Sequence, residues 1–325
     1  MHRLILMIFG CNSLNVIQQK VIRFAPGIDC TQGCDFNNPL AWIGETVPNG
    51  PNDIAVIDFS NSPFFIGPQI IFVKDVIMVG GLYLDTNDVN PIEFQVFEDI
   101  KITGNFDILQ YVTVKTMGSN GNIMTGGNTS IMETSALDIN IGSIFATSKL
   151  LAQPNSNVSI TAATLDGDII VSSGVLNLDN VSVLGSLLAN NSIVTINQSI
   201  SIQGDTIFDG DCSVILSLDQ LSSSPNTGVP LMGVGFLTFS TETTLELRIQ
   251  PTTLVEPNST YYIASSSNPI QLKNPTIQCI ITLPTGLPLQ IEYSFSLDYK
   301  DLSYYLVLNT QPTNQPTSSI DNEYE

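Results

Sequence analysis

The chain has 325 residues, 43% of them hydrophobic, enough for a large core. Ten Lys and Arg stand against 30 Asp and Glu, a net charge of −20. That balance excludes a phosphate-tracking surface, hence nucleic acid as a partner, and disfavours an anionic membrane surface. Charged residues make up only 12%; Asn, Ser and Thr fill the polar positions, which suits turn-rich β-structure better than helices.

The N-terminus reads Met1-His2-Arg3, then the apolar run Leu4 to Phe9, then Gly10-Cys11-Asn12-Ser13. A basic start, an apolar stretch and small residues predict a signal peptide over 1–20 and an extracellular protein, secreted or at the cell surface; a buried first strand is the alternative. No later stretch reaches the roughly 18 apolar residues of a transmembrane helix. Residues 21–53 form a lead-in and N-terminal cap. They hold Cys30 and Cys34, with three residues between them, and Trp42, the only tryptophan. A solenoid's open end must be covered, and a large aromatic before the first coil suits that; a sugar-stacking platform is the sharper alternative.

Over 54–228 the chain is short strands and turns. Gly104, Gly167, Gly185 and Gly204 recur with apolar neighbours two residues away, although Thr206 follows the last; Gly121 and Gly142 fit the spacing with poorer flanks. The gaps from Gly104 are 17, 21, 25, 18 and 19 residues. Alternating segments beginning at Val158, Val175, Val194 and Val214 keep the same period. Together these predict an all-β fold, a single-stranded parallel β-helix, with the right-handed form favoured. Each glycine would mark a bend needing positive φ or close approach of the next coil. From 229 to 309 the repeat fades into longer, tyrosine-rich strands, a C-terminal β cap that covers the last coil. Residues 310–325, rich in Pro, Thr, Ser and Gln, predict a disordered tail.

Six Asn-x-Ser/Thr sequons stand at Asn128, Asn157, Asn180, Asn190, Asn197 and Asn258. Beside a signal-like start they fit a secreted glycoprotein, although an Asn- and Ser-rich chain also matches by chance. With Cys11 removed, Cys30, Cys34, Cys212 and Cys279 allow three disulfide connectivities. Cys30 with Cys34 would close a small loop, leaving Cys212 to meet Cys279.

The only histidine is His2. The mature chain would then have no His general base, no Ser-His-Asp triad and no His-ligated metal. A glycoside hydrolase needs only two carboxylates, and Asp166, Asp168, Asp205 and Asp211 are candidates. A lyase would need a basic residue, and only Lys149 lies between Lys115 and Arg248. Asp166-Gly167-Asp168 and Asp209-Gly210-Asp211 are weak calcium candidates, because oxygen ligands on a turn suit Ca²⁺; aspartate capping a turn is the plainer explanation. No other cofactor is expected. A non-enzymatic extracellular module acting in adhesion, recognition or spacing is favoured, with a carbohydrate-active enzyme as the alternative.

Trp42-Ile43-Gly44, Val47-Pro48 and Asp53 run straight into the coils, and Tyr262-Ile263 precedes the small residues Ala264 to Ser267. This arrangement resembles adhesin-type β-helix modules. The Asn- and Ser-rich style, with two close cysteines ahead, is similar to N-terminal modules of large secreted and cell-surface proteins of social amoebae. Those often carry EGF-like repeats and a membrane anchor downstream, which this chain lacks. The resemblance covers about residues 28 to 310. It implies adhesion to or recognition of an extracellular protein or glycan, and transfers no binding residue.

Overall fold

In the computed structural model, the alternating segments become parallel strands, each paired with its equivalent one coil later. The described residues are 19–25, 27–60, 66–217 and 232–248, with the backbone of the strands Thr260–Ser266, Gln278–Thr282, Ile291–Lys300 and Ser303–Pro312 beyond them. His2, Cys11, Asn258 and most of the predicted signal peptide and tail lie outside them.

The coils build two sheets. One, here the straight sheet, holds short strands such as Asn157–Thr161, Val175–Asp179 and Ser213–Ser217. The segments starting at Val158, Val175, Val194 and Val214 all lie in it. The other, here the bent sheet, holds longer strands such as Ile144–Ala152, Thr164–Ser172 and Ile200–Asp209, and contains the glycines Gly167 and Gly204.

Alternate residues face inward, because side chains in a strand point to opposite faces. Val158, Leu176, Val194 and Val214 form one buried column of the straight sheet. Ile123, Phe145, Leu165, Val183 and Ile202 form one in the bent sheet. Both belong to one continuous core. Repetition therefore turns a local period of two into columns of like side chains in contact.

The coil length can be read from the register. In the straight sheet Gln69 pairs with Ile92 and Ile92 with Val112; Thr113 pairs with Ala136, which leads on to Asn157, Val175, Ile193 and Ser213. The steps are 23, 20, 23, 21, 18, 18 and 20 residues, as the period near twenty requires.

Two different demands on the backbone are met at two kinds of place. In the middle of the bent sheet the need is close approach. A Cβ on Gly185 would lie 2.2 Å from the carbonyl oxygen of Gly167, and one on Gly204 would lie 2.8 Å from that of Gly185. Gly80, Gly104, Gly127 and Gly235 continue this column, with Thr147 standing between Gly127 and Gly167. Gly167 combines close approach with a positive φ of 142°; elsewhere positive φ is needed at the corners, and mostly not at glycine. Tyr111, Thr134, Asn155, Ser173, Asn191 and Gly210 form one corner column with φ between 48° and 65°. Gly118, Gly142, Ala162 and Asn180 form another. Gly142 thus belongs to a corner, and Gly121 packs against the Val96 carbonyl, also away from the bend column.

The N-terminal end is closed by aromatics. Trp42 is 2% exposed, edge-on to Phe24 at 5.1 Å and Phe36 at 4.9 Å, and its Nε1 donates to the Phe36 carbonyl at 2.7 Å. Buried in this way, Trp42 has no face free for a sugar. The disulfide Cys30–Cys34 belongs to the same lead-in. Cys30 N–H donates to Gln69 Oε1 at 2.9 Å, and Ile70 N–H donates to the Cys30 carbonyl at 2.9 Å, which ties the lead-in to the next coil.

Several expected boundaries shift. Lys20–Arg23 is already a strand, in parallel register with Asp53 to Val56, so coiling begins inside the lead-in. Parallel pairing also continues past 228: Ser213 pairs with Thr244 and Thr244 with Gln278, steps of 31 and 34 residues. The last strands, Ile291–Lys300 and Ser303–Pro312, are antiparallel, and the second pairs with Thr260–Ser266. The expected partnership of Cys212 with Cys279 is replaced by a free, buried Cys212 thiol that donates to the carbonyls of Asp209 and Ala189 at 3.0 and 3.3 Å. Cys279 lies two coil steps further on, since Leu245 pairs with both Val214 and Cys279. Two steps span roughly 9.6 Å, beyond the reach of a disulfide.

Candidate functional site

The aspartates singled out from sequence fall at two kinds of place, the bend column and a corner. Asp166 and Asp168 flank the bend at Gly167 within the strand Thr164–Ser172. Asp168 Oδ1 accepts the backbone N–H of Ser186, one coil later, at 3.0 Å. Ser186 Oγ in turn accepts the N–H of Asp205 at 3.1 Å. Asn105 Oδ1 does the same for Asn128 N–H at 3.1 Å. The residue after the bend thus caps its equivalent in the next coil, satisfying an N–H that the bulged register would leave unpaired. Asp168 and Asp205 share this column, with Ser186 between them. Asp209-Gly210-Asp211 sits at a corner instead, where Asn191 Oδ1 accepts Asp211 N–H at 2.9 Å. Among the described residues no three acids, cysteines or histidines gather in a metal-holding group.

The outer face of the bent sheet carries a feature the sequence reading did not single out. Leu151 pairs with Ile170, Ile170 with Leu188, and Leu188 with Ile207. All four point outward, and Leu188 is 37% exposed. The column ends in Ser130 on one side and Thr238 on the other. Its signal is visible in the chain as broken alternation: Leu150-Leu151, Ile169-Ile170, Leu187-Leu188 and Ile207-Phe208 are doubled apolar residues of which only one can face the core. Two polar columns flank the ladder. Lys149, Asp168, Ser186 and Asp205 lie two residues before each rung, and Gln153, Ser172, Asn190 and Asp209 two residues after.

Two further clusters lie elsewhere. An open groove of about 420 Å³ includes Asp85, Gln110, Met132, Glu133 and Gln153 in its lining. Burial, and then the neighbouring Asp58 charge, push the Asp85 carboxyl above its ordinary range. On the straight sheet Lys115 Nζ lies 3.3 Å from Glu93, the one ion pair among the described residues. Asp138 follows Lys115 in the same column; burial raises its carboxyl pKa while Lys115 opposes the rise.

The sequons are scattered. Asn157 and Asn197 belong to the straight-sheet coil face and its end, and Asn190 rims the aliphatic ladder. Asn128 stands in the bend column, and Asn180 has φ 55°, where asparagine has a conformational reason of its own. No helix among the described residues is long and apolar enough to cross a membrane.

Fold and surface together define a β-solenoid with an acid-rimmed aliphatic ladder on one face. Comparison with known protein families, curated proteins and solved structures finds no match.

Proposed function

We propose that this chain is an extracellular β-solenoid module, acting without catalysis in adhesion, recognition or spacing, of the kind it resembles in social amoebae. The observation that carries this is the use made of the bend residues. Asp168 and Ser186 each hold the backbone of the next coil, a structural use of the bend position. A glycosidase requires two carboxylates facing one scissile bond. The regular outer columns instead offer a long rigid face, which suits binding or spacing. The signal-like start and the sequons support a secretory route and N-glycans.

The test uses the full chain secreted from a eukaryotic host. The mature protein should begin near residue 20 and gain mobility on removal of N-glycans. It should hold cells or matrix on a coated surface, and release no reducing ends from neutral or acidic glycans. Glycan cleavage that disappears in Asp168→Asn, with folding unchanged, would place the chain among carbohydrate-active enzymes instead.

A further inference from the structure

We propose that the ladder Leu151, Ile170, Leu188 and Ile207 is a docking seam for a basic amphipathic α-helix of a partner protein, lying along the axis of the coil stack. This deepens the reading of the chain as a recognition module and rests on it.

The spacing selects a helix. Neighbouring strands are about 4.8 Å apart, so three steps along the ladder span roughly 14 Å. Core positions of an amphipathic helix recur every 3.5 residues or so at 1.5 Å rise, about 16 Å over three steps. A helix therefore stays in register with all four rungs to within about 2 Å. An extended strand presents same-face residues every 6.6–6.8 Å, about 20 Å over three steps, and misses by more than one rung.

The rim selects the charge. Asp168 and Asp205 border one side of the ladder and Asp209 the other, against Lys149 alone at one end. Lysines or arginines flanking the apolar seam of a helix would meet these carboxylates. A second copy of this chain would bring the same aspartates to the rim, and a net charge of −20 opposes that approach.

The test is fluorescence anisotropy with a labelled three-heptad peptide, leucine at its core positions and lysine beside them, added to the full chain. It is repeated with Asn190→Gln, so that no glycan on the rim covers the seam. Saturable binding in either form is expected. It should weaken about tenfold in Leu188→Asn, the loss of one partly buried leucine contact. Ile170→Thr, which keeps a β-branched residue in the strand, should weaken it in the same direction. Ile193→Gln, at a comparably exposed position on the straight sheet and creating no sequon, should leave it unchanged, and a glutamate-flanked peptide should not bind. Equal binding by parent, Leu188→Asn and Ile170→Thr would overturn the seam, as would no binding in either form or a dimer that Leu188→Asn dissolves. Failure here without glycan cleavage sinks the helix partner alone; glycan cleavage sinks the reading beneath it.

Discussion

The carboxylate of Asp168 accepts the N–H of Ser186 from the next coil at 3.0 Å. This bond links two observations that look unrelated in sequence. The bend in the bent sheet shifts the register between Ala146 and Lys149 and between Ile202 and Asp205. A small polar residue just after the bend repairs the ladder there. Asn105, Asp168 and Ser186 are interchangeable in that task because each places an oxygen acceptor one side-chain length from the backbone.

Close approach at the bend predicts a large cost for one methyl group. Gly185→Ala should destabilise by about 2–3 kcal/mol, because the new Cβ meets the backbone of Gly167, which cannot rotate away. Gly27→Ala, with nothing within 4 Å, should be neutral or slightly stabilising. Urea midpoints of the two variants compare them directly; equal midpoints would contradict the close-packed column.

The corner columns predict the opposite effect for a glycine. Ala162 has φ 46°, a conformation that costs an L-residue about 1–2 kcal/mol. Ala162→Gly should therefore raise stability by several tenths to about 1 kcal/mol, after the entropy lost by glycine is deducted. A lower midpoint would show that the alanine methyl contributes more than its strain costs.

Asp85 gives a pH dependence of definite sign. Burial and Asp58 raise its folded pKa above the unfolded value, so its charged form opposes folding at neutral pH. This penalty disappears as pH falls through the raised pKa and is gone below the ordinary carboxylate range. Asp85→Asn should stabilise the protein at neutral pH and lose that advantage in acid. Denaturant titrations at both pH values check this, and an advantage confined to acid would reverse the account.

Thiol chemistry should separate the cysteines. Burial pushes the Cys212 thiol up, so it should resist alkylation in the native protein and react after unfolding. Reduction of Cys30–Cys34 should cost about 2 kcal/mol, as expected for so short a loop. Mass spectrometry of non-reduced, alkylated peptides should find Cys212 unpaired; a Cys212–Cys279 peptide would contradict the register.

The repeat and the all-β fold were legible because inward residues recur every second position and every coil. Gly104, Gly167, Gly185 and Gly204 stand in one column for the same reason. Gly127 was hidden because Thr125 and Thr129 flank it instead of apolar residues. The later coils were hidden because insertions lengthen their steps to 31 and 34 residues and break the period. The aliphatic ladder escaped because the doublets Ile169-Ile170 and Leu187-Leu188 do not say which member faces the core; only the register decides it.

The most direct test of the central claim, that the bend-column aspartates are structural, compares the parent with a variant carrying Asp166→Asn, Asp168→Asn and Asp205→Asn. Amide oxygens can keep accepting the Ser186 N–H, so the variant should unfold within about 1 kcal/mol of the parent. Neither protein should release reducing ends from any glycan. Cleavage by the parent that vanishes in an equally stable variant would contradict the claim.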